Sequence, residues 1–186
     1  ELLFSDLERL KKICTNKAKV QFIISGKAHE SDVEGQRILE KIKAITKNPD
    51  FKNKIVYLAD YSVPVATELV LGADVWLNTP ERGFEACGTS GMKAGLNGAL
   101  QASISDGWID EVDWSNIGFI LSEKDTAKSV YDTLENEIIP LFYKRTPEGL
   151  PLEWIKRIRA TQNIVESRFT TKRMLQDYLK KAYRVL

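Results

Sequence analysis

The chain has 186 residues, of which 43% are hydrophobic and 28% charged, with a formal net charge of +1. That length suits one domain with a sizeable core, and the composition is that of an ordinary soluble protein. The near-neutral balance, with basic residues spread along helices, argues against a broad nucleic-acid footprint. No stretch approaches the roughly 20 apolar residues of a membrane span, and the acidic residues inside "ELLFSDLERLKKI" are unlike a signal peptide.

The first predicted element is a helix, with Leu2, Leu3, Leu7, Leu10 and Ile13 near the 3.6-residue period. No capping residue precedes Leu2, so the chain is expected to begin inside this helix. "VQFIIS" (20–25) reads as a buried parallel strand. "GKAHE" turns out of it, and a helix follows over 31–47 with Ser31 as the expected N-cap.

"KIVYLAD" (54–60) is the second strand, "VPVATELVLGA" a helix ending near Gly72, and "DVWLNTP" a third strand stopped by Pro80. A glycine-rich helix comes next, then short strands over 101–105 and 117–121. The remainder reads as helix: 125–143, 152–166 and 171–185. Strand and helix alternate five times with short connections. This predicts an α/β fold with a parallel sheet wound by helices on both faces. Ligands in such folds bind beyond the C-terminal strand ends.

The segment "FEACGTSGMKAGLNGAL" (84–100) sits at such an end. It breaks local rules, because each interior glycine costs a helix about 1 kcal/mol relative to alanine. Lys93 also stands near the positive end of the helix dipole. Neither the P-loop nor the G-x-G-x-x-G pattern is present. What remains is a helix start at Gly88-Thr89-Ser90-Gly91 whose free N–H groups form an anion site. Thr89, Lys93 and Asn97 share a polar stripe, and Met92, Leu96 and Ala99 are expected to face the sheet.

The dipole disfavours an ammonium at Lys93, as an imine-forming lysine requires. A phosphate at the helix start beside such a lysine matches pyridoxal 5′-phosphate. On spacing alone, a solvated lysine is the favoured reading, and the glycines can simply permit tight helix–sheet packing.

Two cysteines, Cys14 and Cys87, fit no metal or CxxC spacing and are expected to be reduced thiols of a cytoplasmic protein; no metal site is expected. The one histidine, His29, excludes a Ser/His/Asp triad built on any other histidine of this chain. His29 and Lys27 lie at a strand end, where a capping or packing role is the simpler reading. The four tryptophans are expected in the core.

The run Glu85-Ala86-Cys87-Gly88-Thr89-Ser90-Gly91-Met92-Lys93, then Leu96-Asn97-Gly98-Ala99-Leu100 and Asp106-Gly107, resembles the α-glucan (glycogen, starch and maltodextrin) phosphorylase family. The "TSGMKAGLNG" and "DGW" variants are similar to its shorter bacterial and archaeal branch. Weaker similarity extends from "ISGKAH" to the last helix. The resemblance implies that Lys93 carries pyridoxal 5′-phosphate as a Schiff base and that the backbone amides of Thr89 and Ser90 hold its phosphate. Glu85 would bind the glucosyl hydroxyls, helped by main-chain groups of Cys87 and Gly88. Tyr61 would pack near the cofactor ring. Cys87 stands where the family usually has serine, and Gly91 where the animal-type enzymes have asparagine.

The implied reaction is reversible phosphorolysis. Inorganic phosphate attacks the terminal α-1,4-linked glucose of a glucan and gives α-glucose 1-phosphate with retained configuration. The implied architecture is the C-terminal, Rossmann-like lobe (1–168) of a two-lobe GT-B glycosyltransferase, with a crossover helix over 169–186. The N-terminal lobe, and the family's phosphate-binding arginine and lysine, would lie outside this chain, which is therefore expected to be inactive alone. Neither nucleic acid nor membrane is an expected partner, and self-association is open. The closest rival is a nucleotide-sugar glycosyltransferase lobe of glycogen-synthase type. Such lobes carry Glu-x₇-Glu, whereas the eighth residue after Glu85 is Lys93. The second rival, a degenerate glucan-binding module, is disfavoured by intact Glu85, Gly88, Thr89 and Lys93.

Overall fold

The structure, a computed structural model, describes residues 1–16 and 19–183. It is α/β, with parallel strands flanked by helices, and the chain divides into two compact units. The first comprises residues 1–68 and 125–143, and the second 69–124 and 144–186.

In the first unit, α1 spans Leu7–Thr15. The Asp6 side chain caps it by accepting the Arg9 amide at 2.9 Å. The helix therefore starts within the sequence, after a short 3₁₀ turn at Leu2–Phe4, and not upstream of Leu2 as expected. Strand β1 (Phe22–Ser25) pairs in parallel with β2 (Ile55–Leu58), with Phe22 opposite Ile55 and Ser25 opposite Leu58. Helix α2 (Val33–Lys47) links them and packs on β2. Its cap is Asp32, which accepts from the Gly35 amide, and not Ser31. Ser31 is instead engaged with His29.

Helix α3 (Val63–Gly72) carries the chain from one unit to the other. Its apolar residues Val63, Val65, Leu69, Val70 and Leu71 are spread round the helix, and no residue of it is fully buried. The segment expected as one helix over 125–143 is α5 (Thr126–Thr133), a π-helical turn (Leu134–Ile138) and α6 (Ile139–Tyr143). Tyr131 of α5 is buried, and its hydroxyl lies 2.7 Å from the Leu3 carbonyl oxygen, to which it donates. Arg9 is bound by Asp132 and Glu135, both at 2.6 Å. These carboxylates hold its guanidinium charged more firmly than usual.

The second unit is built on β3 (Val75–Asn78), β4 (Leu100–Ile104) and β5 (Phe119–Leu121), parallel and in that order. Every residue of β4 is buried, as a central parallel strand requires. Helix α4 (Thr89–Leu96) follows β3, and α7 (Leu152–Arg168) packs on α4 and β4. The core here is Trp108, Ile109, Trp114 and Val165, with Met92 and Phe169 against it. Trp108 meets Trp114 edge-on, with centroids 5.1 Å apart. Helix α8 (Thr171–Asp177) runs into a π-helical turn at Tyr178–Ala182. The expected extension to 185 lies partly outside the described residues.

The five strands were expected in one sheet; those described form two ladders, β1–β2 and β3–β4–β5. The burial also differs. The two-stranded ladder is only half covered, with Ile23 49% exposed, whereas β4 is sealed by a strand on each side and by α7.

Candidate functional site

The site is built from one loop and one helix of the second unit. After β3 the chain turns at Glu81–Phe84, passes Glu85 and Cys87, and enters α4 through Gly88. Gly88 adopts φ +90°, a left-handed conformation that favours glycine. A Cβ there would stand 2.9 Å from Cδ1 of Trp108 and 3.0 Å from Oε1 of Glu85. The bare Cα thus lets the Glu85 carboxylate lie over the helix start.

Gly88 supplies no side-chain cap. The Gly91 amide takes the Gly88 carbonyl at 3.1 Å, while the Thr89 and Ser90 amides have no intrahelical acceptor. They open on an exposed surface. Lys93 follows one turn later on the same exposed side, and no described residue pairs with its ammonium.

The other side of α4 explains the glycines. Gly91, Ala94 and Gly95 are buried. A Cβ on Gly91 would lie 2.8 Å from Oε1 of Gln101, and one on Gly95 would lie 3.0 Å from Cγ2 of Thr161. The helix backbone is pressed onto β4 and α7. The stripe expected to face the sheet is corrected accordingly. Met92 packs on the tryptophan cluster and Ala99 is buried, but Leu96 is 42% exposed. The small residues take the buried face because only they permit this approach. The helix ends in a Schellman motif: Gly98, at φ +102°, donates to the Gly95 carbonyl and Ala99 to that of Ala94.

The loop is held by a residue to which the sequence reading assigned no role. The Asp106 carboxylate accepts three backbone amides, from Gly83 at 2.8 Å, Glu85 at 3.0 Å and Gly107 at 2.8 Å. Those bonds, the Glu85 amide first, hold its carboxyl below the usual range against the opposing effect of desolvation. Gly107, at φ +56°, lets the next residue turn back, and the Trp108 amide binds the Cys87 carbonyl at 2.9 Å. The Cys87 N–H has no acceptor among the described residues. The Asp-Gly pair, a turn signal, was the only trace of this clamp in the sequence.

Glu85, Cys87, Gly88, Thr89, Ser90 and Lys93 are therefore assembled on one ordered segment. Tyr61 belongs to the first unit, in the β2–α3 connection, 47% exposed. His29 is locally engaged: its Nδ1 accepts from the Ser31 amide at 3.2 Å and lies 2.8 Å from the Ser31 hydroxyl. With Lys27 it lines an open depression after β1. Trp108, Trp114 and Trp154 are core residues, and Trp76 is half-buried. Cys14 and Cys87 are free thiols, the former buried and its pKa pushed up by desolvation. Among the described residues no group of His, Cys, Asp or Glu could hold a metal ion, and no helix is long and apolar enough to cross a membrane.

The α4 start thus combines two amides without intrahelical acceptors, no side-chain cap and, one turn on, an exposed lysine that no described residue pairs. The chain belongs to the carbohydrate phosphorylase family, whose model matches residues 3–123. Over 98% of its length it is 41% identical to a glycogen phosphorylase of Aquifex aeolicus and 41% identical to a maltodextrin phosphorylase of Thermococcus litoralis. Over the same share it is 34% identical to a glycogen phosphorylase of Mycobacterium bovis. The chain spans 28%, 23% and 22% of the lengths of these three proteins.

Proposed function

We propose that this chain is the cofactor-binding lobe of an α-glucan phosphorylase that uses pyridoxal 5′-phosphate. The observation that carries the reading is the start of α4: two amides without intrahelical acceptors, no side-chain cap, and Lys93 one turn in, exposed and unpaired. This donor set fits a phosphate monoester joined to an aldehyde. The amides of Thr89 and Ser90 would hold the phosphate, whose charge the dipole favours, and the Lys93 amine would hold the aldehyde carbon by condensation with loss of water. When bound, pyridoxal 5′-phosphate supplies a phosphate group that exchanges a proton with the substrate phosphate.

The residues of the chain then bind and orient the sugar. Glu85 accepts hydrogen bonds from hydroxyls of the terminal glucosyl unit, and the N–H groups of Cys87 and Gly88 donate to the same unit. Inorganic phosphate attacks the anomeric carbon, the α-1,4 bond breaks, and α-glucose 1-phosphate forms with retained configuration, reversibly. On this reading residues 1–168 form the C-terminal lobe of a two-lobe GT-B enzyme of the cytoplasm. The segment 169–186, helical over its described part from Thr171 to Ala182, crosses to the N-terminal lobe. The exposure of Met174, Leu175 and Tyr178 on α8 supports a covering partner there. The 186 residues alone do not catalyse phosphorolysis.

The test is to add pyridoxal 5′-phosphate to the complete protein containing this chain, reduce with borohydride, and map the modified lysine by mass spectrometry. Label at Lys93 that disappears in Lys93→Ala is expected. Label scattered over other lysines, or retained in Lys93→Ala, would overturn the assignment.

A further inference from the structure

Phe84 is 80% exposed, directly before Glu85. Among the described residues nothing covers this ring, and its loop is not loose. The amides of three consecutive residues are all bonded. Gly83 and Glu85 both donate to Oδ2 of Asp106, and Phe84 donates to the Glu81 carbonyl at 3.1 Å. The backbone beneath the ring is thus fixed on both sides, while the ring stands in solvent. Its neighbour Glu85 is only half exposed and lies over Gly88.

An exposed aromatic ring on a held backbone, next in sequence to a carboxylate, offers the two surfaces that bind a pyranose. The C–H face of the sugar covers the ring, and the carboxylate takes the hydroxyls at its rim. We propose that Phe84 is a stacking platform for the glucan, contacting a sugar next to the unit held by Glu85 and setting affinity for the chain rather than for phosphate. The proposal rests on the phosphorylase reading above. Because the backbone beneath the ring is already held, the sugar gains the contact without ordering a loop. An aliphatic residue at 84 would keep the apolar area and lose the flat face.

The test uses the complete, cofactor-loaded protein with Phe84→Ala, Phe84→Leu and Phe84→Trp. For Phe84→Ala the KM for maltoheptaose is expected to rise about tenfold, with kcat and the KM for inorganic phosphate within about twofold. Phe84→Leu should recover little of this and Phe84→Trp most of it. Calorimetric titration with maltoheptaose should show the same order. An unchanged KM for maltoheptaose in Phe84→Ala overturns the proposal, as does an equal rise for phosphate. A lowered melting temperature with unchanged maltoheptaose binding also overturns it, by showing that protein covers the ring. A wild-type protein that binds maltoheptaose without phosphorolysis would sink the phosphorylase reading alone. Weakened binding in Phe84→Ala would then still support the platform.

Discussion

Two turns leave the C-terminal ends of parallel strands, one in each unit, and they are ordered by different means. Beyond Gly26, whose carbonyl accepts from the Tyr57 hydroxyl at 2.8 Å, the turn after β1, from Lys27 to Ser31, is tied by its own neighbourhood. His29 bonds Ser31, and Gln36, one turn into α2, donates to the carbonyls of His29 and Glu30. The turn after β3, from Thr79 to Gly88, is tied by Asp106, more than 20 residues away, and by the Trp108 amide. The first is a local cap that any polar sequence can approximate. The second fixes a loop against a strand end buried in the core, so its atoms return to the same place whenever the unit folds. The proposed glucosyl site lies on the second kind of turn.

The sharpest way to break the contrast is Gly107→Ala. A Cβ there would stand 2.6 Å from the Cys87 carbonyl oxygen, on a backbone at φ +56°. The expected loss is about 2 to 3 kcal/mol of stability, read from denaturant midpoints. Asp106→Asn should act more gently and in a pH-dependent manner. The Asp106 carboxyl is held low in the folded state by the amides, so its contribution is present above the unfolded carboxylate pKa. It is lost as pH falls through the lower folded value. Acid titration of thermal stability should therefore show a shallower fall in Asp106→Asn than in wild type, from a lower starting point. An identical acid limb in both would show that the clamp is not ionic. The smallest effect is expected at the other turn: His29→Ala should change stability by no more than about 0.5 kcal/mol. A larger loss would mean that the β1 turn is as tightly built as its counterpart.

The chain order of strands and helices was legible because periodicity is a property of neighbours, and every predicted element has a counterpart within the described residues. The α4 start was legible for a similar reason: glycines, free amides and a lysine one turn on lie within six residues. Other expectations failed where the deciding partner was not the one that the local pattern suggested. Asp6 rather than a missing upstream residue starts α1, and Asp32 outcompetes Ser31 because Ser31 is held by His29. Leu96 faces outward because the buried side of α4 is set by how closely Gln101, Thr161 and Trp108 approach it.

By itself, then, the sequence determined that this protein is α/β, that glycines, free amides and a lysine gather at Gly88–Lys93, and that a family pattern runs through that segment. Only the tertiary structure decided that the strands form two ladders, that Asp106 clamps the loop carrying Phe84 and Glu85, and that the glycines of α4 serve close packing as well as access. The reason is range. Hydrogen bonding and side-chain periodicity along one element are written in adjacent residues. Which carboxylate meets which amide across more than 20 residues depends on the core that brings them together.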